Sequence, residues 1–144
     1  MRRFLPRLRG DASGSTAVEF ALIGPAFIAM FMGVLQIGIG MQNYNALRGV
    51  SGDVARYAVV NYQSHNRLAT TQLQSYAASV ASKPPYGLTT SRLTATVTTA
   101  AVQRVVGATE YTITLKYDIP TFLGVIGIGE IPLTYERPVF VLST

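Results

Sequence analysis

Between Glu19 and Arg48 the chain carries no Asp, Glu, Lys or Arg. Within that gap, residues 20–41 are apolar or glycine, interrupted only by Pro25 and Gln36. A helix of those 22 residues rises about 33 Å, enough to cross a hydrocarbon core of ~30 Å. The apolar region of a signal peptide is shorter, ~7–15 residues. The run is apolar on every side, whereas a helix packed on a soluble core is apolar along one stripe. Residues 20–41 are therefore read as a transmembrane span.

Direction follows from charge. Residues 1–14 hold four arginines (Arg2, Arg3, Arg7, Arg9) against Asp11, a net +3. The positive-inside rule places this basic leader in the cytoplasm and everything after about residue 41 outside it. Pro25 lacks an amide hydrogen, so the Ala21 carbonyl loses its helical partner and a kink is expected. Ala29 and Gly33 form a small-xxx-small pair. Either they open a helix packing face, or they reflect the ordinary abundance of glycine in membrane helices.

The helix is expected to continue to about residue 60. Leu47, Val50, Val54, Tyr57 and Ala58 recur at helical spacing. Asp53 and Arg56 stand at i, i+3 and can support each other. Gly49 and Gly52 read as weak points where a bend is expected.

A small domain follows over residues 61–144. Ala69, Leu73, Tyr76, Ala77 and Val80 trace one face of a second helix over 66–82, with Asn66 as its cap and Pro84 and Pro85 as its end. Residues 93–97 and 111–119 alternate apolar and polar side chains, as half-buried antiparallel strands do. Gly107 between them suits a hairpin. A third strand over 132–142 contains Pro132 and Pro138, which restrict it to an edge or bulged role. The expected fold is α+β: a long N-terminal transmembrane helix extending into a domain with a second helix packed on a three-stranded antiparallel sheet. "FLGVIGIG" at 122–129 is read as a loop folded back over the sheet. Docking on a partner or on the membrane interface is its alternative. Its glycines run in the wrong order for a dinucleotide fingerprint.

Several function classes drop out. The net charge of +5 is concentrated in the leader, and the later basic residues are scattered, so no nucleic-acid footprint forms. The chain has no cysteine and a single histidine, His65. Disulfides, thiolate metal sites and His-cluster sites are thereby excluded. Neither a G-x-S-x-G elbow nor paired catalytic acids occur. The expectation is a protein without catalytic residues, metal or cofactor.

Glu19 remains to be explained. A charge at the bilayer centre costs ~2.5–3.5 kcal/mol, less near the interface. Were the chain cut between Gly14 and Ser15, the new ammonium would lie one helical turn from this carboxylate. Cleavage would also remove the basic segment that holds the helix in register. Physics alone leaves two readings: an assembly residue that pairs with that ammonium, or a helix-start acid favoured by the helix dipole.

"GSTAVEFALIGPAFIAMFMGVLQIG" resembles the start of TadE-like minor pilins, or pseudopilins, of the tight-adherence (Flp) pilus system. "NALRGVSGDVARYAVV" at 45–60 resembles that family's post-membrane helix. "YTITLKYDIP" resembles its late strand more weakly. The resemblance implies that a prepilin peptidase cuts after Gly14, that Ser15 is the mature N-terminus, and that Glu19 and Phe20 serve assembly. It implies as partners other pilin and pseudopilin subunits, the inner-membrane Tad assembly machinery and membrane lipid. The domain after the helix is larger than a major Flp pilin carries, which implies a minor, initiating or tip-associated subunit. The competing expectation is a single-pass membrane scaffold of a pilus or secretion complex that keeps residues 1–14.

Overall fold

The computed structural model describes residues 13–122, 124 and 127–142. Residues 1–12 of the leader and Leu123, Val125 and Ile126 of the glycine-rich stretch lie outside the described residues.

Helix α1 runs unbroken over Ser13–Gln63, with Pro25 inside it. It serves two compact units, one ending at Gln36 and the other beginning at Ile37. In the first unit the apolar side chains face outward. Phe20, Leu22, Ile23, Phe27, Ile28 and Phe31 are all exposed, while Gln36 is buried. A helix in water would bury the former and expose the latter. Length and apolarity alone qualify α1 to cross a membrane, and this outward display separates it from the core helix of a soluble protein. One long apolar helix near the N-terminus fits a single-pass membrane protein.

In the second unit the same helix becomes one-sided. Leu47, Val50, Val54, Ala58 and Tyr62 are buried at three- and four-residue intervals, the stripe of an amphipathic helix. Ser51 is fully buried among them and donates to the Arg48 carbonyl at 2.8 Å. The end of α1 is a Schellman closure. The Asn66 amide donates to the Asn61 carbonyl at 2.9 Å and the His65 amide to the Tyr62 carbonyl at 3.0 Å. His65 takes the left-handed position, with φ 58°. Asn66 therefore closes the first helix and does not cap the second. Its side chain confirms the assignment by donating to Asn61 Oδ1 at 2.9 Å.

Helix α2 covers Thr70–Ala81, inside the expected 66–82. Gln72 Oε1 accepts from the Ala69 amide at 2.8 Å, satisfying one free donor at the helix start. Leu73, Ala77 and Ala81 are its buried face. The Pro84–Pro85 peptide bond beyond it is cis.

A short 3-10 turn, Thr90–Arg92, leads into the sheet. Strands β1 (Leu93–Thr99), β2 (Ala108–Ile119) and β3 (Ile131–Leu142) form an antiparallel meander in that order. β3 is an edge strand, where Pro132 and Pro138 can sit without breaking a central ladder. β2 buries Tyr111, Ile113, Leu115, Tyr117 and Ile119, the alternation visible in the sequence. These side chains join Val97, Val139 and Val141 and the buried faces of α1 and α2 in one core. The second helix and three-stranded antiparallel sheet make the fold α+β.

Candidate functional site

The mouth of the apolar run is organised by helical geometry. Ser15 and Glu19 lie one turn apart on one face of α1. The Ser15 hydroxyl donates to Glu19 Oε1 at 3.1 Å. Both side chains are exposed, as is Phe20 beside them. Among the described residues, and apart from the helix's own backbone, no atom lies within 4 Å of where a Cβ on Gly14 would stand. The structure thus brings Gly14, Ser15, Glu19 and Phe20 together in the first turns of one helix. Pro25, Ala29 and Gly33 stand further along. Ala29 is exposed, and the space beside Gly33 is open, with no described atom within 4 Å of its Cβ position. Both readings of that small-residue pair stay compatible with this geometry.

Glycine has another use in the second unit. A Cβ on Gly49 would overlap the Tyr86 ring, with Cζ and the hydroxyl both 3.0 Å away. The Tyr86 hydroxyl continues past this notch and donates to Asp53 Oδ2 at 2.8 Å. Gly49 and Asp53, one turn apart on α1, form a seat for the residue that follows the two prolines. Burial, then the hydrogen bond to Asp53, raises the Tyr86 pKa above that of a free phenol. At Gly52 a Cβ would meet Arg137 Nη1 of β3 at 3.6 Å. Gly49 and Gly52, expected as weak points, are places of close approach. Asp53 answers Tyr86 and not Arg56: the ion pairs formed among the described residues are Arg92–Glu130 and Arg104–Glu110.

The hairpin between β1 and β2 is clamped by the second of these pairs. Arg104 Nε donates to both carboxylate oxygens of Glu110, at 2.9 and 3.0 Å, and Arg104 Nη2 closes on Glu110 Oε1. The Glu110 amide donates to Gln103 Oε1 at 2.5 Å. Arg104 also stands 5.4 Å from the Phe140 ring centre, a cation–π arrangement. The guanidinium hydrogen bonds hold the Glu110 pKa below the usual carboxylate range. At the same end of the sheet the Tyr62 and Tyr111 hydroxyls meet at 2.5 Å. Burial, then that hydrogen bond, pushes the Tyr111 pKa up to about 12.

These arrangements hold the domain together, and the sequence reading missed them. Their partners are non-periodic or distant in the chain, and only the buried side of the β2 alternation hinted at Tyr111. Among the described residues no group of three or more His, Asp or Glu side chains could hold a metal.

The mouth of α1, its apolar stretch and the Gly49–Asp53 seat fall within one recognisable segment. Residues 14–56 match the TadE-like protein family. The TadE-like segment opens on the glycine before Ser15 and closes on Arg56. It takes in Ser15, Glu19, Phe20, Pro25, Ala29 and Gly33 and stops short of α2 and the sheet. The resemblance noted for "YTITLKYDIP" lies beyond it. No curated protein and no solved structure matches the chain.

Proposed function

We propose that this chain is a structural subunit, a minor pilin or pseudopilin, that supports assembly of a Tad/Flp-type pilus and adherence through it. The observation that carries the reading is the Ser15–Glu19 pairing at the opening of the TadE-like segment. A prepilin peptidase cuts between Gly14 and Ser15. The freed ammonium of Ser15, one turn from Glu19, then pairs with that carboxylate in its own subunit or a neighbour's. Uncleaved, the basic leader keeps the N-terminus in the cytoplasm and the helix in the inner membrane. The chain after about residue 41 faces the periplasm, where it meets other pilin and pseudopilin subunits and the inner-membrane assembly machinery. The role is structural and not catalytic.

Intact mass and N-terminal sequencing of the protein from membranes test this. The expected mature chain begins at Ser15, and Gly14→Val leaves the leader in place, because a β-branched side chain crowds a peptidase site shaped for glycine. A wild-type chain that keeps residues 1–14 refutes processing and leaves the uncleaved scaffold. Glu19→Gln is expected to insert and be cleaved normally, yet to lose partner subunits in a pull-down. Normal pili with normal partner recovery would make Glu19 a helix-start acid.

A further inference from the structure

We infer that the end of the sheet holding the β2–β3 connection is a second membrane contact, seated in the lipid interface beside the helix. This rests on the reading of residues 20–41 as a membrane span. Three observations on the second unit converge. β2 and β3 end together, with Ile119 paired to Ile131. Ile119 is packed level with Gly40, whose Cβ position lies 3.8 Å from Ile119 Cδ1. This end of the sheet therefore stands at the height where the apolar run finishes. Around it Ile37, Met41, Phe122, Ile128 and Ile131 are exposed. The connection carries no charge between Asp118 and Glu130, and α1 carries none between Glu19 and Arg48.

The result is an apolar tip with a polar collar. Asp118 stands opposite Pro132 just above it, and Glu130 is tied to Arg92 at 3.4 Å. Such a surface enters the headgroup–acyl boundary to a depth of ~5–10 Å and is stopped there by its charges. Lipid is the occupant because the tip lies in the same unit as Ile37 and Met41, the exposed apolar residues that finish the run read as the span. The hairpin at the far end of β2 differs. It also exposes valines, Val102 and Val106, but it lies about 36 Å away along the strand at ~3.3 Å per residue.

The chain has no cysteine, so single labels can be placed cleanly. Ile28→Cys, Ile128→Cys and Val106→Cys are made in the full chain and tagged with an environment-sensitive fluorophore. Each is reconstituted in phosphatidylethanolamine/phosphatidylglycerol vesicles carrying nitroxide lipids, quenching either near the glycerol or deep in the chains. The expected result is that the shallow nitroxide removes about half or more of the Ile128→Cys signal, as interface seating requires. The deep nitroxide quenches Ile28→Cys, and neither touches Val106→Cys. If the position 28 label is quenched and the position 128 label is as iodide-accessible as that at 106, the second contact is refuted while the span stands. A position 128 label shielded from iodide yet unquenched by lipid means a second copy covers the tip, which also overturns the inference. An unquenched position 28 label removes the span and the inference with it.

Discussion

The two halves of α1 share one backbone and use their residues in opposite ways. Up to Gln36 the large apolar side chains point outward, and Gly14 and Gly33 face open space. From Leu47 on, the apolar stripe is buried, and Gly49 and Gly52 are close-approach points for Tyr86 and Arg137. What a residue type does on this helix is decided by what surrounds it. Leucine at 22 is exposed, whereas leucine at 47 is core.

The comparison breaks most visibly at those leucines. Leu47 is fully buried, so Leu47→Ala is expected to destabilise the domain by ~2–5 kcal/mol through lost burial and a cavity. Leu22→Ala, at a position 74% exposed, is expected to leave domain unfolding unchanged. Urea unfolding of both variants in detergent, followed by tyrosine fluorescence, checks this. Equal effects would erase the distinction between the halves.

The glycines come next. Gly49→Ala forces a Cβ into the Tyr86 ring and is expected to cost about 1–3 kcal/mol, the usual range for overpacking. Gly33→Ala is expected to change domain stability by less than about 0.5 kcal/mol. Adding Tyr86→Ala to Gly49→Ala removes the clash, so the double variant should be more stable than the two single losses sum to. Strict additivity would mean that the ring does not occupy the notch.

A smaller effect isolates the hydroxyl. Tyr86→Phe keeps the ring in its seat and removes the bond to Asp53, with an expected loss of ~0.5–1.5 kcal/mol. The Asp53→Asn variant should largely retain the hydrogen bond, because its amide oxygen still accepts. A thermal-melt series of the two checks that ordering.

Much of this architecture was legible because it is periodic. The apolar run, the stripe from Leu47 to Ala58 and the alternation from Tyr111 to Ile119 are one-dimensional patterns, and each became the expected element. The misreadings share a cause. Gly49 looked weak because Tyr86 reaches the same seat from 33 residues beyond Asp53. Asn66 looked like a cap for the helix ahead because a Schellman closure here uses His65 where glycine is usual. The clamp of Arg104 on Glu110 spans six residues in a hairpin loop with no period to expose it. At the candidate site the residues were legible, because Ser15 and Glu19 are local and one turn apart.

A further effect appears only in alkali. Tyr111 is held protonated up to about pH 12 in the fold, against ~10 for a free phenol. The folded state binds this proton more tightly. Its contribution is therefore complete below pH ~10 and is lost as pH rises toward the folded value. Tyr111→Phe should lack that part of the decline. Tyr86 is shifted the same way, so the measurement is the difference between the two pH–stability curves above pH ~10. Parallel curves would mean that the Tyr62–Tyr111 contact does not hold the proton.

The seat on α1 also has a mechanical meaning. Residues 47–62 lie along the core, and Tyr86 enters crosswise between Gly49 and Asp53 like a pin through a shaft. A pull that reaches the domain along this helix cannot be relieved by opening one hinge peptide. It must slide a row of interlocked side chains past their neighbours and shear the pin at the same moment. Close-packed interiors resist such sliding over their whole length. A domain gripped by this stretch of helix is therefore loaded in shear, the direction in which it has most surface to resist, and can be drawn by its helix without being unravelled.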